Sequence, residues 1–185
     1  MKLIIIRHGE TDENAKKIIQ GQSDCKLNEK GRAQAKEVGK QLKEKHKIDM
    51  IFCSPLKRCQ ETLEEILAEY PIEGEIFMSK LIQERDFGEY TGADATLIDW
   101  EEVHKDSKLN QEMGVESWNK LEKRVELFLE DLKLEDDKKT ILVVSHGGPI
   151  MAMINKISKQ NLRYPTATID NSKIMEFDLD TSSEF

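Results

Sequence analysis

Two short segments, Lys2–Ile6 and Thr140–Val144, carry unbroken aliphatic, β-branched runs. Such runs mark strands buried on both faces. Asp49–Cys53, Ile174–Leu179 and Glu75–Met78 are further strand candidates. Between them the apolar positions change to a helical period. Asn28 can cap a helix in which Gly31, Ala35, Val38 and Leu42 share one face. Ser54-Pro55 reads as an N-cap followed by a first helical residue, with Leu56, Cys59, Leu63 and Ile66 in register behind it. The longest helical pattern runs from Val115 to Leu134, with Trp118, Leu121, Val125, Phe128 and Leu132 in one stripe. Strands alternating with helices predict an α/β fold with a mostly parallel sheet. Such a sheet is covered on both faces, which makes a three-layer α/β/α sandwich. Residues 92–114 fit neither period cleanly and are expected to form a mostly helical insert over one edge of the sheet. Residues 1–180 are expected to form one domain, and 181–185 a loose tail.

At 185 residues the chain is long enough for one well-buried core. Its 28 Lys and Arg against 36 Asp and Glu leave a net charge of −8. That balance argues against nucleic acid or an anionic membrane as partner, but a few focused arginines can still attract a small anion. No apolar run approaches the roughly 20 residues of a membrane span. The apolar start runs straight into Arg7 and His8, too short for a signal peptide. Cys25, Cys53 and Cys59 form no C-x-x-C and are read as free thiols of a cytoplasmic protein. The stretch Leu134–Lys139 is a charge run expected in a solvated turn.

The polar chemistry follows the strands. Arg7-His8-Gly9-Glu10-Thr11, then Asn14, comes after the first; Ser54-Pro55-Leu56-Lys57-Arg58 after Asp49–Cys53; Ser145-His146-Gly147-Gly148 after Thr140–Val144. In a parallel sheet these points share one rim, where ligands bind. Two guanidiniums offer forked donors to phosphate oxygens. Glycine-rich turns that open helices add backbone N–H groups. An imidazole can attack phosphorus. Phosphoryl transfer then needs positioning, charge neutralisation and a proton for the leaving group. Arg, His and one carboxylic acid suffice, so neither metal nor cofactor is expected, and no Asp, His or Cys set has metal-ligand spacing. Arg58 lies in a first helical turn, the unfavourable end for a cation, which an anion bound there would explain.

These residues resemble the histidine phosphatase superfamily, in its phosphoglycerate mutase-like branch. Arg7-His8-Gly9-Glu10-Thr11 is similar to its signature. Gln20-Gly21 with Asp24, Leu27 and Gly31, then Ser54–Thr62, then Leu81–Gly92 and finally Val143–Gly148 resemble its later blocks in order. The resemblance implies that His8 is the phosphorylated nucleophile and that Arg7, Arg58 and His146 clamp the phosphoryl group. It makes Asn14 a phosphate-contacting amide and Glu84 the acid that protonates the leaving oxygen and later activates water. Thr11, Gln20 and Gly21 would line the mouth, and Gly147 the phosphate site. His8 must attack as a neutral imidazole, so its pKa should be held down by Arg7, Arg58 and a cationic His146.

The implied activity is hydrolysis of small phosphorylated metabolites by a monomer or homodimer. A mutase is the first rival. Glu10-Thr11 looks like the phosphatase type, and no Arg stands between Arg85 and Arg124 to clamp a three-carbon diphosphate. A protein phosphohistidine phosphatase and an inactive phosphate-binding module are the others. Glu89 competes with Glu84 as the acid. Glu10 is expected to hold its loop, Cys59 to fill a small core position, and His46 and His104 to lie at the surface.

Overall fold

The computed structural model describes residues 1–180; the expected tail at 181–185 lies outside them. In chain order the elements are β1 (Lys2–Arg7), α1 (Asp12–Ala15), α2 (Glu29–Lys45), β2 (Met50–Cys53), α3 (Lys57–Glu69), β3 (Glu75–Met78), α4 (Trp100–His104), α5 (Lys108–Glu112), α6 (Trp118–Leu132), β4 (Thr140–Ser145), α7 (Gly147–Ser158) and β5 (Ile174–Asp178). The strands form one sheet in the order β3-β2-β4-β1-β5. β1, β2, β3 and β4 are parallel, and β5 pairs antiparallel with β1.

Side chains alternate across the sheet, as a strand requires. Leu3, Ile5, Ile141 and Val143 pack with Leu121, Val125, Phe128 and Ile150 of α6 and α7. Ile4, Ile6, Leu142 and Val144 pack on the opposite face with Val38, Leu42, Leu63 and Ile66 of α2 and α3. The expected α/β/α sandwich is therefore present. The ladder continues one residue past each parallel strand: His8 N–H donates to Ser145 O, Ser54 N–H to Val144 O and Ser79 N–H to Cys53 O. Those bonds fix the strand ends at one level, which sets the height of the polar residues that follow.

Several local expectations change. Ser54 does not cap α3, whose N-cap is Leu56 without a side-chain bond; Pro55 lies in the turn before it. The long helix begins at Trp118, capped by Ser117, whose oxygen accepts from Lys120 N–H. Val115 instead bridges to Phe87 in an isolated antiparallel contact. The insert holds two five-residue helices, α4 and α5, rather than being mostly helical. Its Ala95 and Trp100 line a cavity at the strand ends rather than lying over a sheet edge. Asn28 caps α2 as expected. Glycine is required where the loop after β1 meets that helix: a Cβ on Gly9 would stand 2.5 Å from Gly31 O. Among the described residues no helix is long and apolar enough to cross a membrane.

Phe128 is buried and meets Phe52 edge-on at 5.3 Å. Phe128→Ala should cost about 3–5 kcal/mol of unfolding free energy, by lost burial plus a cavity. Urea titration checks this; a loss below about 1 kcal/mol would mean that α6 is not clamped to the sheet as described.

Candidate active site

The four parallel strand ends deliver their polar residues to one cavity of about 280 Å³. Arg7, His8, Asn14, Gln20, Gly21, Arg58, Glu84 and Gly147 all line it. His146 does not. It is fully buried behind Arg58, to which it is hydrogen-bonded, with its ring 5.2 Å from that of His8. Thr11 is also fully buried and away from the mouth. Its hydroxyl caps α1 by accepting from Asn14 N–H at 3.1 Å.

Arg58 is wholly buried and holds the floor together. Its Nε–H is shared between His8 Nε2 at 3.2 Å and His146 Nδ1 at 3.1 Å. Nη1 donates to Ser23 O at 2.9 Å and Nη2 to Gly21 O at 2.7 Å. Gly21 thus serves the guanidinium through its carbonyl, on a backbone with φ of +50° that suits glycine. Arg7 donates from Nη1 to Ile169 O, while its buried Nε has no partner. Neither arginine makes an ion pair among the described residues. Burial lowers the Arg7 pKa, an effect that Glu84 opposes. A fully buried Arg58 and a half-buried Arg7, neither closed into an ion pair although Glu84 acts on Arg7, leave a site suited to an anion.

The hydrogen bonds assign both imidazole tautomers. His8 Nδ1–H donates to Gly9 O at 2.7 Å, which leaves the Nε2 lone pair on the Arg58 side. His146 accepts at Nδ1, so Nε2–H donates to Ser54 Oγ at 2.7 Å. Burial first, and then Arg58, holds both rings well below the ordinary histidine range. His146 is therefore neutral rather than cationic: with Arg58 and Arg7 close by, a third positive charge is unfavourable.

Glu84 arrives from the turn after β3. Its Oε1 accepts from Arg85 N–H at 2.8 Å and from Gly148 N–H at 3.1 Å, at the start of α7. A Cβ on Gly148 would stand 2.5 Å from that oxygen, so glycine is needed for the approach. Oε2 and Arg7 Nε flank Gly147, each 4.0 Å from where its Cβ would lie. Glu89 is exposed and does not line the cavity. Asn14 Oδ1 accepts from Thr11 N–H and from Asn171 Nδ2, which leaves its own Nδ2 hydrogens for a ligand. Gln20 is buried with no partner for Oε1.

Sequence reasoning missed Ser54 as the partner of His146. It also missed Asn171, which donates to His8 O at 2.9 Å, and Thr62, whose hydroxyl accepts from Gly9 N–H at 3.0 Å. Thr62 falls inside a recognised block; nothing in the spacing marks Asn171. His104 is half-buried and lines the cavity, with Nδ1 accepting from Arg85 and Nε2–H donating to Tyr164 O. His46 is also largely covered, bonded to Glu176 Oε1 at 3.1 Å. Glu10 holds its loop as expected, accepting from Asn28 and Lys30. Cys59 is buried in the core, its thiol pushed up to about 12 mainly by burial. Among the described residues no group of three or more His, Cys, Asp or Glu side chains could hold a metal ion.

Both imidazoles should stay neutral as the pH falls through 6.5. The unfolded chain then takes up protons that the folded state refuses, so stability declines below that pH. The slope approaches about 1.4 kcal/mol per pH unit for each ring. Arg58→Met should raise both ring pKa values, read from histidine resonances by NMR. Rings that titrate near 6.5 in the unaltered protein would contradict the assignment.

Residues 3–184 match the histidine phosphatase superfamily (branch 1). A probable phosphatase of Schizosaccharomyces pombe is 36% identical over 94% of the chain and 79% of its own length. A 2,3-bisphosphoglycerate-dependent phosphoglycerate mutase of Mesorhizobium japonicum is 33% identical over 82% and 79%. Among solved structures, a phosphoserine phosphatase mutant from Entamoeba histolytica in complex with phosphoserine superposes with a TM-score of 0.79 at 30% identity, covering 95% of this chain and 89% of the other. The chain that gathers Arg7, His8, Arg58 and Glu84 around one cavity belongs to the histidine phosphatase superfamily.

Proposed function

We propose that the protein is a phosphatase that hydrolyses small phosphate monoesters through a covalent phosphohistidine on His8, without a metal or cofactor. One observation supports this reading: the buried Arg58 and the half-buried Arg7, neither in an ion pair, flank a neutral imidazole whose tautomer is fixed by Gly9 O. A phosphate dianion supplies the missing charge, and the arginines supply the neutralisation that phosphoryl transfer needs.

In the first step the Nε2 lone pair attacks phosphorus. The P–N bond forms as the ester P–O bond breaks, and Glu84 passes a proton to the departing oxygen. For this the Arg58 Nε–H moves from Nε2 to a phosphoryl oxygen. Arg7 Nε, Asn14 Nδ2 and the Gly147 turn complete the clamp, and Gln20 borders it. His146 acts through Arg58, holding Nε from the far side. In the second step water attacks phosphorus with Glu84 as base, the P–N bond breaks and phosphate leaves. A mutase would in addition hold a carboxylate or second phosphate at the far end of its substrate. Arg85, the cation nearest to that role, already donates to Glu116 O, Val103 O and His104.

His8→Ala should abolish turnover of p-nitrophenyl phosphate and acid-labile phosphate labelling while circular dichroism stays unchanged. Retained activity would remove His8 as nucleophile. Glu84→Gln should slow alkyl esters at least about tenfold more than p-nitrophenyl phosphate, whose leaving group needs little protonation. Equal losses would deny Glu84 that role. EDTA should leave activity intact; loss reversed by added metal would overturn the metal-free mechanism. Isomerisation of 3-phosphoglycerate with a trace of 2,3-bisphosphoglycerate, without phosphate release, would make the protein a mutase.

A further inference from the structure

Beyond the guanidiniums the cavity wall is aromatic. Phe87, Trp100, Trp118 and Tyr164 line it together with Ile19 and Met151. The rings brace one another. Trp100 meets Tyr164 edge-on at 4.4 Å and Phe87 at 5.9 Å. Both indole N–H groups are already used, Trp100 on Ala95 O at 2.9 Å and Trp118 on Glu122 Oε1 at 2.7 Å. The wall therefore offers a ligand flat apolar surface and few donors.

Arg85 and His104, two polar members of the wall, direct their ring and guanidinium nitrogens into the protein. All three Arg85 nitrogens already donate within the protein, and the guanidinium packs 5.2 Å from the Phe87 ring centre. His104 has both ring nitrogens engaged, and burial holds it in the neutral form. Arg163 stacks on Trp118 at 5.2 Å and does not line the cavity. Lys17 also lines the cavity, but it is exposed and its charge is screened by water. A carboxylate on the leaving group would thus lose water and meet only the water-screened charge of Lys17 and an Arg85 whose three nitrogens are already bonded. At about 280 Å³ the cavity sits at the small end for ligand sites, enough for a phosphate and a compact group.

We propose that this site selects phosphate monoesters whose leaving alcohol carries a flat, uncharged ring and no carboxylate, and that Trp100 and Phe87 set that preference. The proposal rests on the phosphatase reading and names its substrate class. It sets this chain apart from its phosphoserine-binding structural relative, because the leaving groups differ in charge and shape while the transferred phosphoryl group is the same.

The test compares alkyl esters whose alcohols are similarly poor leaving groups, so that chemistry does not imitate recognition. These are 2-phenylethyl phosphate, ethyl phosphate, O-phosphoserine and 3-phosphoglycerate. The phenylethyl ester should exceed ethyl phosphate in kcat/KM by about tenfold or more, as burial of one aromatic ring implies, with both carboxylate esters below ethyl phosphate. Trp100→Ala should collapse the phenylethyl-to-ethyl ratio toward one. Phe87→Leu, a milder change, should lower the same ratio if the first variant does not fold. Calorimetry on the His8→Ala variant should give the same ranking as Kd, without needing turnover. If O-phosphoserine or 3-phosphoglycerate matches or beats the phenylethyl ester in kcat/KM and Kd, the proposal fails while the phosphatase reading stands. If neither these esters nor p-nitrophenyl phosphate is hydrolysed, the phosphatase reading fails and takes the proposal with it.

Discussion

Arg58 carries its charge into the interior with no carboxylate to meet it, and the surroundings are arranged so that it can stay there. Two carbonyls, from Gly21 and Ser23, and two imidazoles, from His8 and His146, take its N–H groups. Those acceptors come from three separate stretches of chain. Each is held in turn: His146 by Ser54, the Gly9 amide by Thr62, and the Thr62 hydroxyl by the carbonyl of Arg58 itself. Leaving a cation buried among neutral acceptors costs several kcal/mol, by the usual penalty for burying a charge. The cost is tolerable in a fold with large apolar clusters on both faces of the sheet. It leaves a cavity floor whose field is positive inside a chain whose net charge is −8.

Burial first, and then that field, keeps both histidines neutral, and both face Arg58 with lone pairs. It also bears on Glu84, the cavity's own carboxylate beside the arginines. Its Oε1 is bonded to the Gly148 and Arg85 amides, and Oε2 stands by Gly147 opposite Arg7 Nε. The carboxylate is thereby positioned at the start of α7 without closing an ion pair that would cancel the site. Glycine at 148 keeps that approach open, as glycine at 9 and 31 lets the first loop press onto α2.

The rest of the cavity answers to a different force. Trp100, Phe87, Trp118 and Tyr164 come from four places in the chain and meet through ring contacts. Arg85 and His104 tie the insert to the turn that carries Glu84. Charge thus governs the floor and apolar shape governs the wall, a division on which the proposed separation of phosphoryl binding from leaving-group recognition rests.

The strands, the sheet class, the cap at Asn28 and the polar residues after each strand were legible in the chain, because they follow from local periodicity and short-range chemistry. The resemblance added roles for His8, Arg7, Arg58 and Glu84, and the cavity brings those residues together. Local pattern misassigned Ser54, which looked like a helix cap and instead anchors His146 across 92 positions. The resemblance placed Thr11 at the mouth, the charged context of His104 placed it at the surface, and neither marked Asn171. Those positions are decided by packing between segments far apart in sequence, which no period encodes. The protonation state of His146 belongs to the same class. Burial first, and then the charge of Arg58, makes its neutral form the stable one, and both depend on how the folded segments meet. The sequence by itself determined which polar residues follow the strands and which family they resemble. Only the tertiary structure decided which of them face the cavity, which stand behind another, and which rings make up the wall. Desolvation and long-range contacts set those outcomes, and neither exists until the chain is folded.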